Sequence, residues 1–119
     1  MALTLPGVLL RLEGLALFVA AVALYLHGDY ALWPLLVFAL APDLAMLGYL
    51  AGPKAGALAY DTAHTTAAPI ALGLAGVLAD SGLALQIALI WAAHIGADRL
   101  LGYGLKYTTA FKDTHLQRV

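Results

Sequence analysis

The apolar residues of this chain fall into four long blocks separated by short polar or turn-forming breaks. The first covers residues 7–26 and ends at His27-Gly28-Asp29, and the second covers 31–51 and ends at Gly52-Pro53-Lys54. The third covers 55–79 and ends at Asp80-Ser81-Gly82, and the fourth covers 83–103. Each block is about 20 residues, the length a helix rising 1.5 Å per residue needs to cross the hydrocarbon core of a bilayer. The pattern predicts an all-α protein with four transmembrane helices. The breaks are so short that neighbouring helices must run antiparallel, as an up-down-up-down four-helix bundle. Gly and Ala abound in the third and fourth blocks, which suits close approach of helix backbones. Residues 104–119, GLKYTTAFKDTHLQRV, are polar enough to leave the bilayer as a tail.

Composition strengthens the membrane assignment. The chain is 63% hydrophobic and 11% charged, whereas a soluble domain carries about 25% charged residues. Charge distribution then orients the helices. All 6 Lys and Arg residues fall on the side that holds the N-terminus, the second-to-third connection and the tail. The opposite side carries His27, Asp29 and Asp80 without a Lys or Arg. By the positive-inside rule both termini are expected in the cytoplasm, with the protein in the cytoplasmic (inner) membrane. The first block contains Arg11 and Glu13 and lacks a leading basic cluster, so it reads as a membrane helix rather than a cleaved signal peptide. A net charge of −1 gives no reason to expect a nucleic-acid partner, and the absence of cysteine excludes thiolate metal sites. Membrane lipid is the expected partner, with a homo-oligomer as a candidate assembly.

The chemistry lies in ionisable residues inside the blocks. Glu13, Asp43, Asp61, His64, His94 and Asp98 all map to the cytoplasmic half of the expected bundle, about 7–15 Å inside the helix ends. Asp61 and His64 are three apart and His94 and Asp98 four apart, so each pair shares a helix face. Two carboxylate–histidine pairs plus two single carboxylates resemble, in residue type and placement, the dinuclear carboxylate sites of four-helix bundles. An unpaired ionised Asp at bilayer depth costs about 2.5–3.5 kcal/mol. Arg11 and Arg99 are too few to neutralise these carboxylates, and Arg11 is expected to snorkel to the interface. One or two divalent ions would balance them, and oxygen with imidazole donors suits Zn, Mn or Fe. Asp43, Asp61, His64, His94 and Asp98 are the expected ligands, with Glu13 and Asp43 as candidate catalytic carboxylates. Arg99 and the tail residues Lys106, Lys112 and His115 are candidates for holding an anionic head group, if the tail folds under the bundle. A competing reading makes the tail a basic segment on anionic lipid, worth about 1 kcal/mol per basic residue. Pro42 and Pro69 are expected to kink their helices.

The segments RLEG, APDLAMLGYLAGPKAGALAYDTAHT, IWAAHIGADRLLGYGLKY and FKDTHL together cover much of the chain. In these segments the sequence resembles an uncharacterised family of small bacterial four-helix integral membrane proteins, a domain of unknown function. That resemblance implies the fold and no activity. A weaker similarity, confined to the Pro42-Asp43 element and dispersed His and Asp, is to membrane-bound metal-dependent hydrolases. The expected function is therefore a membrane-embedded metal-dependent enzyme that hydrolyses a lipid or amphiphilic phosphate or ester. Three alternatives stand beside it. A di-iron-type oxidoreductase would use the same ligands, a small oligomeric proton-coupled transporter would use the same polar residues as a relay, and a purely structural polar core would use them to fix helix register.

Overall fold

The computed structural model describes residues 4–106 and 114–118, with side chains as far as Leu116. Every regular element among them is helical; a single antiparallel bridge joins Lys106 to Thr114. Helix α1 spans Leu5–His27 and is capped by Thr4, whose hydroxyl accepts the Gly7 N–H at 3.1 Å. It ends at Gly28, and Asp29 turns the chain with a positive φ of 58°. The second apolar block begins as α2, Leu32–Phe38, and continues from Ala41 to Ala51 as a 3-10 helix. Eleven residues is a long run for that tighter spiral, which rises about 2.0 Å per residue and is found mostly in short pieces. Pro42, at its start, has no N–H to give to a carbonyl of α2.

The third block, expected as one helix over 55–79, is two: α3, Pro53–His64, and α4, Ala67–Leu78. Thr65 between them is extended, with ψ 135°. Pro69 supplies the reason. In a continuous helix its ring would collide with the carbonyl four residues earlier, that of Thr65, and its missing N–H would leave that carbonyl unbonded. Here the Thr65 carbonyl accepts from Ala68 N–H instead, at 3.3 Å.

The fourth block is α5, Gly82–Leu101, started by Ser81, whose hydroxyl accepts the Ala84 N–H at 3.2 Å. Gly102 stops it in the left-handed region, at φ 94°. The Tyr103 and Gly102 N–H groups then close onto the carbonyls of Asp98 and Arg99 at 2.8 and 3.1 Å, a Schellman end that needs glycine at that position. The chain turns back after a further stretch. His115 N–H donates to the Leu105 carbonyl at 2.9 Å, Leu116 is buried, and α6 spans His115–Arg118.

Helix α5 is the centre of the packing, with α1 against one side and α4 against another, while the 3-10 segment lies on α3. The α1–α5 seam is built from small residues. A Cβ on Gly96 would stand 2.5 Å from the Phe18 nitrogen and 2.7 Å from the Gly14 carbonyl, so the two backbones are in contact there. Ala21, Ala92 and Ala93 continue the seam, with Phe18 beside them, and Tyr25, Leu89 and Ile90 close its far end. Three stretches, Leu5–His27, Leu32–Ala51 and Gly82–Leu101, are long and apolar enough to cross a membrane, with mean hydropathies of 2.0, 1.7 and 1.2.

Candidate metal centre

Four side chains from the 3-10 segment, α3 and α5 bring one ligand atom each to a common point. Asp43, His64, His94 and Asp98 place these atoms within 4.8 Å of one another. The Nε2 atoms of His64 and His94 are 3.0 Å apart, and Asp43 Oδ1 lies 3.0 and 3.1 Å from them. Asp98 Oδ2 lies 3.4 Å from His64 Nε2 and 3.1 Å from His94 Nε2. An ion about 2.0–2.2 Å from each of two ligands holds those ligands roughly 3 Å apart, which is the spacing present.

The far side of each imidazole decides what the near side offers. His64 Nδ1 is 2.8 Å from the Tyr60 carbonyl, and His94 Nδ1 is 2.6 Å from the Ala39 carbonyl. A carbonyl only accepts, so both Nδ1 atoms carry hydrogen and donate. Each ring, in its neutral form, therefore presents the Nε2 lone pair to the cluster. Two such lone pairs 3.0 Å apart, with two carboxylate oxygens around them, leave acceptors facing acceptors. The arrangement is satisfied by a cation or by a proton taken up between the rings. Asp98 Oδ2 adds to this. It is buried and close to His94 Nε2, yet the approach lacks the direction of a hydrogen bond. The cluster could hold a metal ion.

Local structure explains why these residues converge. The helix break frees carbonyls in the last turn of α3, and α5 side chains take them up. Arg99 donates to the His64 carbonyl at 3.1 Å, and the Trp91 indole N–H donates to the Ala63 carbonyl. His64 is thus fixed at the end of its helix from both sides, its own ring stacked on Tyr60 at 3.7 Å between centroids and 6° between planes. In the second stretch, the switch into the 3-10 segment leaves the Ala39 carbonyl to orient His94 and turns Asp43 toward the same point. Exposure is graded around the cluster. The side chains of His64 and His94 are 1% and 4% exposed and Asp98 16%, whereas Asp43 is 36% exposed, so the Asp43 edge is the open one.

Several residues expected at the site lie elsewhere. Glu13 is exposed on α1; α1 meets α5 through Gly14 and Ala21, one position round the helix, and contributes nothing to the cluster. Asp61 is also outside it. Three residues place it about 60° round the helix from His64, and its carboxylate accepts the Lys106 N–H at 2.6 Å instead. Arg99 is buried with its guanidinium on the carbonyls of His64 and Tyr103, where it braces the broken helix. Lys106 is buried with its ammonium 4.7 Å from the centre of the Tyr60 ring, and burial pushes its pKa down. His115 Nδ1 accepts the Leu105 N–H at 2.8 Å, which ties the returning chain to Leu105. Burial, and then the nearby Arg99 charge, push the His115 pKa down. Lys112 lies outside the described residues. The carbonyls of Ala39 and Tyr60 were not foreseeable as side-chain signals, although the four-residue spacing of Tyr60 and His64 is the one at which a helical histidine reaches back to a carbonyl.

The chain belongs to the family described as Domain of unknown function (DUF4260), whose profile matches residues 7–119. No curated protein and no solved structure matches it.

Proposed function

We propose that this member of the DUF4260 family is an integral membrane metalloenzyme in which Asp43, His64, His94 and Asp98 bind one divalent ion, Zn, Mn or Fe, and which hydrolyses a phosphate or ester substrate. Its helices cross the cytoplasmic membrane four times, with both termini on the positively charged cytoplasmic side. Large apolar side chains such as Leu50, 89% exposed, and Leu78, 77% exposed, favour lipid over water around the bundle.

The observation that carries the metal reading is the convergence of two oriented imidazole lone pairs and two carboxylate oxygens. The graded exposure supports catalysis over a closed structural site. Three ligands form a dry wall, and the fourth, Asp43, faces an open edge, as in sites that keep a position for water or substrate. A divalent ion held by these four residues would lower the pKa of bound water and polarise a substrate oxygen. Asp43, at that edge, would take the proton on the carboxylate oxygen not offered to the ion as water attacks phosphorus or the acyl carbon. It would return that proton to the leaving alkoxide as the P–O or acyl C–O bond breaks. His64 and His94 hold their tautomers through Tyr60 and Ala39 and do not move a proton in this scheme.

A second reading has its own observation. The 3-10 segment and the α3–α4 break both adjoin the cluster, and broken helices around a charged midmembrane site are a feature of ion carriers. Metal analysis of the detergent-purified protein separates the two. The enzyme reading expects a stoichiometric ion that disappears in His94→Ala and falls in Asp43→Asn. Metal-free protein that instead supports pH-dependent flux in liposomes would establish the carrier, and iron with a redox-active spectrum would turn the enzyme reading toward an oxidoreductase.

A further inference from the structure

A groove of about 620 Å³ runs between the second helical stretch and α5. Trp33 and Phe38 form one wall, and Pro42, Ala63, Gln86 and Trp91 are among its other lining residues. Its inner end is set by the chain itself. Pro42 directly precedes Asp43, Ala63 directly precedes His64, and Trp91 stands one turn before His94. The groove therefore runs up to the segments that carry Asp43, His64 and His94, although none of these three side chains is itself in the lining.

The lining offers a polar ligand little. Gln86 is the one amide in the wall, and its NH2 donates to the Tyr25 hydroxyl at 3.1 Å. The indole N–H of Trp91 is engaged by the Ala63 carbonyl. From Leu83 to Trp91, both in the wall, α5 rises about 12 Å. The length and the apolar surface fit an extended hydrocarbon chain, and the volume lies within the range of about 300–1,000 Å³ usual for small-molecule sites. We propose that this groove holds the single alkyl chain of an amphiphilic substrate whose phosphate head meets the ion at the Asp43 edge. The proposal rests on the metal-dependent reading above. It adds to that reading the substrate class and the residues that select it.

The test uses the full chain in detergent with cobalt(II) as the bound ion, since its visible bands report a change of ligands. The probes are methyl phosphate and decyl phosphate, titrated into the native protein and into Ala41→Trp and Ile87→Trp. Both positions line the groove and are exposed, and neither is one of the four ligands. Partition of decyl phosphate into micelles is the same for every variant, so comparing variants isolates the groove. Cobalt is expected to bind all three proteins equally. Methyl phosphate should shift the bands alike in all three, while the tryptophan variants lose about tenfold or more in decyl phosphate affinity. Equal decyl phosphate affinity in the native protein and both variants would overturn the chain-binding groove and leave it to bulk lipid. Absence of cobalt binding in the native protein would overturn the metal reading itself, and the groove proposal with it.

Discussion

The two sides of α5 are built from similar small and apolar residues and serve opposite ends. Toward α1, Gly96, Ala92 and Ala93 meet Gly14 and Ala21 across an uninterrupted pair of helices. Every backbone group in those helices is satisfied within its own helix except at the ends, so nothing polar is left to recruit a partner. Toward the 3-10 segment and α3, the same helix presents His94, Asp98, Trp91 and Arg99 to chain that has departed from the α-helix in two places. There the departures free the Ala39 and His64 carbonyls, which fix the His94 imidazole and the Arg99 guanidinium. Regular helix gives tight packing; interrupted helix gives a site.

The largest expected effect breaks the site side alone. His94→Ala removes a ligand and should weaken metal binding by more than about 100-fold, beyond the 10–100-fold typical of changes to a ligand's supporting partner. Metal content after purification checks it. Retained stoichiometric metal would contradict the proposed ligand set. Next comes the seam. Gly96→Leu forces the α1 backbone away and should cost about 1–3 kcal/mol or more of stability, read as a lower unfolding midpoint, while the folded fraction keeps its metal. Loss of metal in the folded fraction would mean that the two sides of α5 are not separable.

Acid should act on the site in a defined direction. Both imidazoles must be unprotonated at Nε2 to bind an ion, so a proton competes with the ion for each ring. Metal affinity therefore falls as pH falls, by up to about 100-fold per pH unit where both rings must lose a proton. A titration of metal affinity from neutral to acidic pH measures the slope. The returning tail should respond more modestly. His115 has a lowered pKa in the folded protein, so its contribution is present above the unfolded value of about 6.5 and is lost as pH falls through the folded value. Protonated His115 Nδ1 can no longer accept from Leu105, and hydrogen exchange at the Leu105 amide should rise in that window. The smallest effect is expected from Glu13→Gln, which should leave metal content unchanged. A drop there would bring α1 back into the site.

Much of this was legible along the chain because hydrophobic length and buried charge are local properties. Four apolar blocks marked the helical stretches, and Asp43, His64, His94 and Asp98 stood out as ionisable residues inside them. Glu13 and Asp61 carried the same signal and do not join the cluster. Depth along a helix is readable from sequence position, but the direction a side chain faces depends on which neighbour the helix packs against. Gly14 draws one face of α1 onto α5 and turns Glu13 outward. The returning chain supplies Asp61 with the Lys106 N–H, a partner 45 residues away. Arg99 bonds the His64 carbonyl that the helix break frees, a partner the sequence does not announce.

The sequence by itself determined the number and length of the apolar stretches and a set of ionisable residues inside them, wider than the cluster by Glu13 and Asp61, since these follow from composition and spacing. Only the tertiary structure decided that the second and third stretches are interrupted. It also decided that two carbonyls, those of Tyr60 and Ala39, set both imidazoles with their lone pairs toward one point. The physical reason is that a lone pair's direction is fixed by the hydrogen bond on the opposite side of the ring. One of those partners, the Ala39 carbonyl, is a backbone atom 55 residues from His94.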